Sequence, residues 1–173
     1  MNVMIIGGGK VGTYLASLLL TGGHQAKLIE VRKEEVLRLQ NDLPRGVVIL
    51  GNGTDPNVLE SAGIYNAQVV AAATGADEVN LVVTSLARFE FQVPRTIARI
   101  NNPKNAWMFT PDMGVDVALN QADLMAHLIA EEMSLGDMMT LLKLRKGQYS
   151  LVEEKVAPES LAAGRAIRDL KLP

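Results

Sequence analysis

No cysteine occurs in the 173 residues, which excludes disulfide staples, thiol catalysis and thiolate metal sites and fits a reducing compartment. Aromatics are scarce, at 4%, so a core has to be built from Val, Ile, Leu, Ala and the eight Met residues. Histidine occurs only at His24 and His127. The first falls in a Gly-Gly-His turn on the amino-end side of the strands and the second in a long helical stretch, so neither is placed as a general base. There is no nucleophile elbow, no Walker lysine beside Ser/Thr and no clustered metal ligands. The substrate domain or long catalytic loops that hydride transfer needs are also missing. No run approaches the ~20 apolar residues of a membrane span, and Met1–Ile6 lacks the basic n-region of a signal peptide. With a net charge of −2 and a pI near 5.7, no basic stripe invites nucleic acid. These absences predict a soluble cytoplasmic protein with no catalytic and no metal-binding residues, reaching a membrane only through a partner.

What is present alternates. Apolar runs at Val3–Ile6, Ala26–Ile29, Val47–Leu50, Ala67–Ala72 and Arg95–Ile100 read as short buried strands. Between them lie helical patterns at about Lys10–Leu20, Glu34–Gln40, a segment capped by Thr54 or Asp55 with Pro56 in its first turn, and Asp77–Ala87. Strand–helix alternation of this kind predicts a doubly wound parallel α/β sheet. A short sixth strand is expected at Trp107–Phe109, with no room before it for a crossover helix, so it is antiparallel, displaced or part of an irregular edge. A long helix follows over Val115–Met133, with one apolar stripe of Val117, Leu124 and Leu128 and another of Ala118, Met125 and Ile129; such a helix packs between two bodies. Beyond Gly136, Met138–Leu144 and Tyr149–Val156 read as a β-hairpin around Arg145-Lys146-Gly147-Gln148, and Pro158–Leu170 as a short capped helix. That tail is too short for a core of its own.

Gly7, Gly9 and Gly12 have the G-x-G-x-x-G spacing of a dinucleotide-binding loop, directly after a strand and opening a helix. Glu30 lies 18 residues beyond Gly12 at the end of the second strand, where a carboxylate meets an adenosine ribose. Its charge disfavours a 2′-phosphate, with Arg32 and Lys33 beside it as a counterweight. Asn52 and Thr54 sit at the carboxyl end of the third strand, where Asn52 either reads an adenine edge or only closes a turn. Thr74-Gly75 ends the fourth strand on the same rim. Arg99, near the end of the fifth, either meets a phosphate or pairs with a neighbouring carboxylate. Lys10 meets phosphate or solvent. Asp112, beside Met113-Gly114, is a metal or charge partner near the site or, as the favoured reading, a helix N-cap.

These motifs together resemble the RCK family, also called KTN or TrkA-N, the cytosolic regulators of Trk/Ktr-type potassium uptake systems and some channels. MNVMIIGGGKVGTYLA, LIEVRKEEV, GNGTDPNVLESAGI, AAATGADEVNLVVTSLAR and ARINNPKNAWMFTPDMGVDVALN are similar to successive family segments, and GQYSLVEEKVAPES to the start of a TrkA-C lobe. The resemblance implies an α/β fold, a Rossmann-like doubly wound parallel sheet with a long crossover helix and a partial small α+β C-terminal lobe. It divides the chain into a nucleotide-binding lobe at 1–134 and an incomplete C-terminal lobe at 135–173. The implied ligand is an adenine nucleotide, NAD(H) or ATP/ADP, held as a regulatory signal. By motif position, Gly7, Gly9, Lys10, Val11 and Gly12 would cradle phosphates, and Glu30, followed by Val31 and Arg32, would hold the ribose. Asn52, Gly53 and Thr54 would flank adenine, and Ala73, Thr74, Gly75 and Arg99 would complete the pocket. The implied partners are an integral-membrane potassium transporter or channel subunit and a second copy of the chain, dimerised through the crossover helix, with octameric rings common in the family. This places the protein at the inner face of the membrane through its partner. Two other functions stay open at this point, a small NAD-dependent oxidoreductase and a nucleotide sensor for a partner unrelated to transport.

Overall fold

The computed structural model describes residues 1–133, 138–144, 149–154 and 156–170. It divides into two compact units, Met1–Leu124 and Met125–Pro173. In the first unit the elements run β1 (Asn2–Ile6), α1 (Lys10–Thr21), β2 (Gln25–Glu30), α2 (Lys33–Asp42), β3 (Val48–Leu50), α3 (Pro56–Ser61), β4 (Val69–Ala72), α4 (Asp77–Ser85), β5 (Arg95–Ile100) and β6 (Val117–Asn120). The six strands form one sheet in the order β3-β2-β1-β4-β5-β6, with every neighbouring pair parallel. This is the doubly wound Rossmann-like arrangement, and its strand order reverses between β1 and β4.

The period-two alternation of each strand feeds two faces. Val3, Ile5 and Leu28 join Ala16 of α1 and Val36 and Leu39 of α2 on one side. Met4, Ile6, Ile29 and Val70 join Leu59 of α3 and Val83 of α4 on the other. Asp55 caps α3, its side chain accepting from Asn57 N at 2.9 Å, with Pro56 in the first turn. Ala62 ends this helix, and Gly63 at φ 86° leads into the three-residue 3₁₀ turn Ile64–Asn66.

The far edge differs from the sequence expectation. Trp107–Phe109 is not a strand. Residues Pro103–Met108 coil as a 3₁₀ segment started by Asn102, whose side chain accepts from Lys104 N, and Trp107 is 76% exposed. The sixth strand is Val117–Asn120, paired in parallel with β5 from Ile97↔Val117 to Ile100↔Asn120. The crossover consists of 3₁₀ turns, Pro103–Met108 and Pro111–Met113, instead of an α-helix. The expected helix from Val115 therefore starts only at α5 (Gln121–Met133), so Val117 and Ala118 belong to a strand and not to a helical stripe. Both ends of that strand are tied: at its head Thr96 N donates to Asp116 Oδ2 at 2.8 Å and Asp116 N to Thr96 Oγ1 at 3.1 Å, and at its end Asn120 Oδ1 accepts from Asp123 N at 3.2 Å to begin α5. Along α5, Leu124, Met125, Leu128 and Ile129 each remain about half exposed.

In the second unit, β7 (Met138–Leu144) and β8 (Tyr149–Glu154) form the expected antiparallel hairpin, with an irregularity between Thr140 and Leu142. Its connecting turn at 145–148 lies outside the described residues. The helix expected over Pro158–Leu170 is replaced by consecutive turns and a 3₁₀ segment, Ile167–Asp169. Bonds such as Ser160 N to Ala157 O and Ala163 N to Ser160 O span three residues, and Gly164 at φ 71° interrupts the run.

Candidate functional site

The carboxyl ends of β1, β2, β3, β4 and β5 surround a cleft of about 490 Å³, at the crevice where open α/β sheets bind ligands. Its floor is the loop after β1. Gly7, at φ +109°, brings its backbone so close to the loop after β4 that a Cβ would stand 3.0 Å from Thr74 N, and Gly7 N donates to Ile29 O at 2.9 Å. A Cβ on Gly12 would collide with the Gly7 carbonyl oxygen, so this glycine sets the packing of α1 on the loop. At Gly9 a Cβ would meet nothing within 4 Å. Gly9 is also the N-cap of α1, with no side-chain cap and no acid in the first turn. The helix thus starts at a bare backbone whose N–H groups suit an anion.

On the β2 side, Glu30 is 4% exposed and each of its oxygens accepts twice. Oε1 takes Arg32 N at 2.8 Å and Arg32 Nε at 2.9 Å. Oε2 takes Gly8 N at 2.7 Å and the Arg32 terminal nitrogen at 3.0 Å. Burial pushes the Glu30 carboxyl up, but the hydrogen bonds from the Arg32 side chain, Arg32 N and Gly8 N, with the Arg32 charge, outweigh it and hold the group at about 2.

The β4 and β5 side is framed by amides. Asn80 of α4 is fully buried. Its Oδ1 accepts from Thr74 N at 2.9 Å and Thr74 Oγ1 at 2.7 Å, and its Nδ2 donates to Thr74 O at 3.2 Å and Arg99 O at 2.8 Å. Asp77 accepts from Asn101 N, Asn101 Nδ2, Asn102 N and Asn105 Nδ2 at 2.6 to 3.0 Å. Burial raises its carboxyl, and those four amides more than reverse the effect, leaving it below its ordinary value. Arg99 lines the cleft, has a buried Nε without a hydrogen-bond partner and forms no ion pair among the described residues.

Gly7, Gly9, Glu30, Val31, Arg32, Asn52, Gly53, Ala73, Thr74, Gly75 and Arg99 all line this cleft. Lys10, Val11, Gly12 and Thr54 do not. Lys10 and Val11 are exposed on α1; Thr54 donates through both N and Oγ1 to Asn52 Oδ1, at 3.0 and 2.9 Å, making Asn52 a turn former. Asp112 lies in an exposed 3₁₀ turn away from the cleft and caps no helix, the cap of α5 being Asn120. His24 and His127 are not cleft residues. Sequence reading did not single out Asp77, Asn80, Asn101 or Asn105 as the frame of the β4–β5 rim. The available signal was a lone amide, Asn80, inside the otherwise apolar run around Val79, Leu81, Val82 and Val83. Among the described residues no cluster of three or more His, Cys, Asp or Glu could hold a metal ion, and no helix is long and apolar enough to cross a membrane.

The chain is similar along its whole length to the Trk system potassium uptake protein TrkA of Mycobacterium tuberculosis, with 38% identity over 173 residues, all of this chain and 78% of that protein. A TrkA homolog from Methanothermobacter thermautotrophicus is 35% identical over 98% of this chain and 77% of its own length. Among solved structures, the TrkA-N domain of the Escherichia coli inner membrane protein ybaL superposes with a TM-score of 0.69 at 20% identity, over 77% of this chain and 96% of that one. The GsuK channel bound to NAD gives 0.65 at 25% identity, over 75% of this chain and 22% of that one. Residues 3–121 match the TrkA-N domain family, and the chain is a member of it.

Proposed function

We propose that this chain is an adenine-nucleotide-binding regulatory subunit that gates a membrane potassium transporter or channel, and that it performs no catalysis. Arg99 is the observation that carries the nucleotide reading. A buried, unpaired guanidinium nitrogen shares the cleft with a bare glycine loop at a helix start and with a buried carboxylate. Cation and helix start suit phosphate, and the carboxylate suits a ribose diol. Gly7, Gly9 and Arg99 are the phosphate side, with Lys10 at its margin, and Glu30 with Arg32 is the ribose side. Asn52 and Gly53, after β3, and Thr74 and Gly75, after β4, line the rest of the cleft. NAD(H) and ATP/ADP share the adenosine ribose, and both remain candidates.

The potassium-uptake names of the relatives support the transport assignment, and NAD bound to the GsuK channel supports a nucleotide as signal. The half-exposed apolar residues of α5 favour homodimerisation through that helix, with higher rings up to an octamer, at the cytoplasmic face of the pore-forming partner. The β7–β8 hairpin favours reading residues 135–173 as the beginning of a TrkA-C-like lobe. Gating follows if two states of the assembly bind the nucleotide with different affinity.

Calorimetric titration of ADP, ATP and NADH into the purified chain gives saturable binding. Arg99→Ala weakens ADP and ATP by about tenfold or more, the scale of a lost charge-assisted hydrogen bond. Absence of binding by all three nucleotides overturns the sensor assignment. Binding that leaves potassium flux through a reconstituted partner unchanged overturns the gating assignment alone.

A further inference from the structure

The ribose seat of this cleft is already filled by the protein itself. An ionised carboxylate offers about four acceptor positions, and all four on Glu30 are taken: by Gly8 N, Arg32 N, Arg32 Nε and the Arg32 terminal nitrogen. A ribose diol seeking the same two oxygens must displace donors that are in place.

The four donors are not equally free to leave. Gly8 N and Arg32 N are backbone groups, fixed by the glycine loop and by the start of α2. The Arg32 side chain is 58% exposed while the carboxylate it covers is 4% exposed. Its guanidinium lies on the open side of the pair, lines the cleft, and can swing out with no change in backbone. Water then solvates it in place of Glu30.

We propose that Arg32 is a displaceable latch on the ribose carboxylate, and that it sets the selectivity of the site for ribose over deoxyribose. A nucleotide with both hydroxyls replaces the two guanidinium hydrogen bonds with two of its own. A 2′-deoxynucleotide would have to break the same two hydrogen bonds to regain only one, so it leaves the latch closed and binds without engaging Glu30. The latch therefore lowers the ribose preference that an uncovered Glu30 would give, because part of the diol's interaction is used to open it. This inference rests on the nucleotide reading above.

The test is the ratio of affinities for ADP and 2′-deoxy-ADP, measured by calorimetry on the whole chain. Taking the ratio cancels any general attraction of Arg32 for phosphates. In Arg32→Ala the preference for ADP over 2′-deoxy-ADP rises roughly twofold to fivefold, the range spanned by solvent-accessible ion pairs. Arg32→Lys, which keeps the charge and loses the two-pronged fork, shifts the ratio in the same direction by less, and it carries the test if Arg32→Ala does not fold. A ratio unchanged or lowered in the variants, with the wild type binding ADP, overturns the latch and leaves the nucleotide reading standing. A wild type that binds neither nucleotide overturns both.

Discussion

Glu30 and Asp77 are both carboxylates at the carboxyl-end rim of the same sheet, 4% and 6% exposed, and both are held below their ordinary ionisation range. Their partners differ in kind. Asp77 is surrounded by four neutral amides from the single segment Asn101–Asn105, two of them backbone, and lies in the first turn of α4, where a negative charge suits the helix dipole. Glu30 faces the cleft, and half of its hydrogen bonds come from one exposed side chain. A buried acid is thus not in itself a binding group. What separates a frame from a site is whether its partners can leave.

The comparison breaks most visibly at Asp77. Asp77→Ala removes the acceptor from four donors at once and frees the turns that lead from β5 toward β6. A loss of about 3 kcal/mol in unfolding free energy is expected, the scale for buried donors left unsatisfied. Urea unfolding of the variant against the wild type reads it directly. A loss below about 1 kcal/mol would mean that water replaces Asp77 freely and that the frame is a surface turn.

Acid sharpens the contrast next. A carboxyl whose folded value is depressed contributes stability above its unfolded value, and that stability is lost as the pH falls through the folded one. For Glu30 the window runs from about 4.5 down to about 2. In this window the unfolded state binds more protons, so stability falls on acidification. At about 1.4 kcal/mol per unit, Glu30 accounts for roughly 2 kcal/mol of loss by pH 3. Unfolding curves of the wild type and Glu30→Gln should therefore converge by about that amount between pH 7 and pH 3. Parallel curves would show that Arg32 and Gly8 do not hold the carboxylate in solution.

The two carboxylates also mark how far the sequence could be read. Glu30 was legible because a glycine loop and an acid about 20 residues later form a local pattern with a known purpose, and strands β1 to β5 were legible as buried apolar runs. Asp77 passed as an ordinary acid at a helix start, since its partners at Asn101, Asn102 and Asn105 are distant in sequence. Asn80 was hidden for the same reason. The β5–β6 crossover was misplaced because Trp107 and Phe109 read as a strand, while the true edge strand, Val117–Asn120, carries the apolar spacing of the helix it precedes. Arg32 was visible as a neighbour of Glu30, but no sequence pattern indicates that its fork closes over the carboxylate.

The smallest effect is the most discriminating, because it sets Arg32 against the Asp77 frame on the same scale. If the guanidinium is a latch and not a structural strut, the fold hardly needs it. Its removal leaves Glu30 with two backbone donors and opens the other acceptor positions to water. The ion pair also costs the exposed Arg32 side chain rotational freedom, a cost the variant no longer carries. Arg32→Ala should therefore lower the unfolding free energy by less than about 1 kcal/mol at pH 7, the range of a solvent-accessible pair, as read from urea midpoints at unchanged slope. A loss comparable to that of Asp77→Ala would make Arg32 part of the frame, and the two halves of the rim would then be built alike.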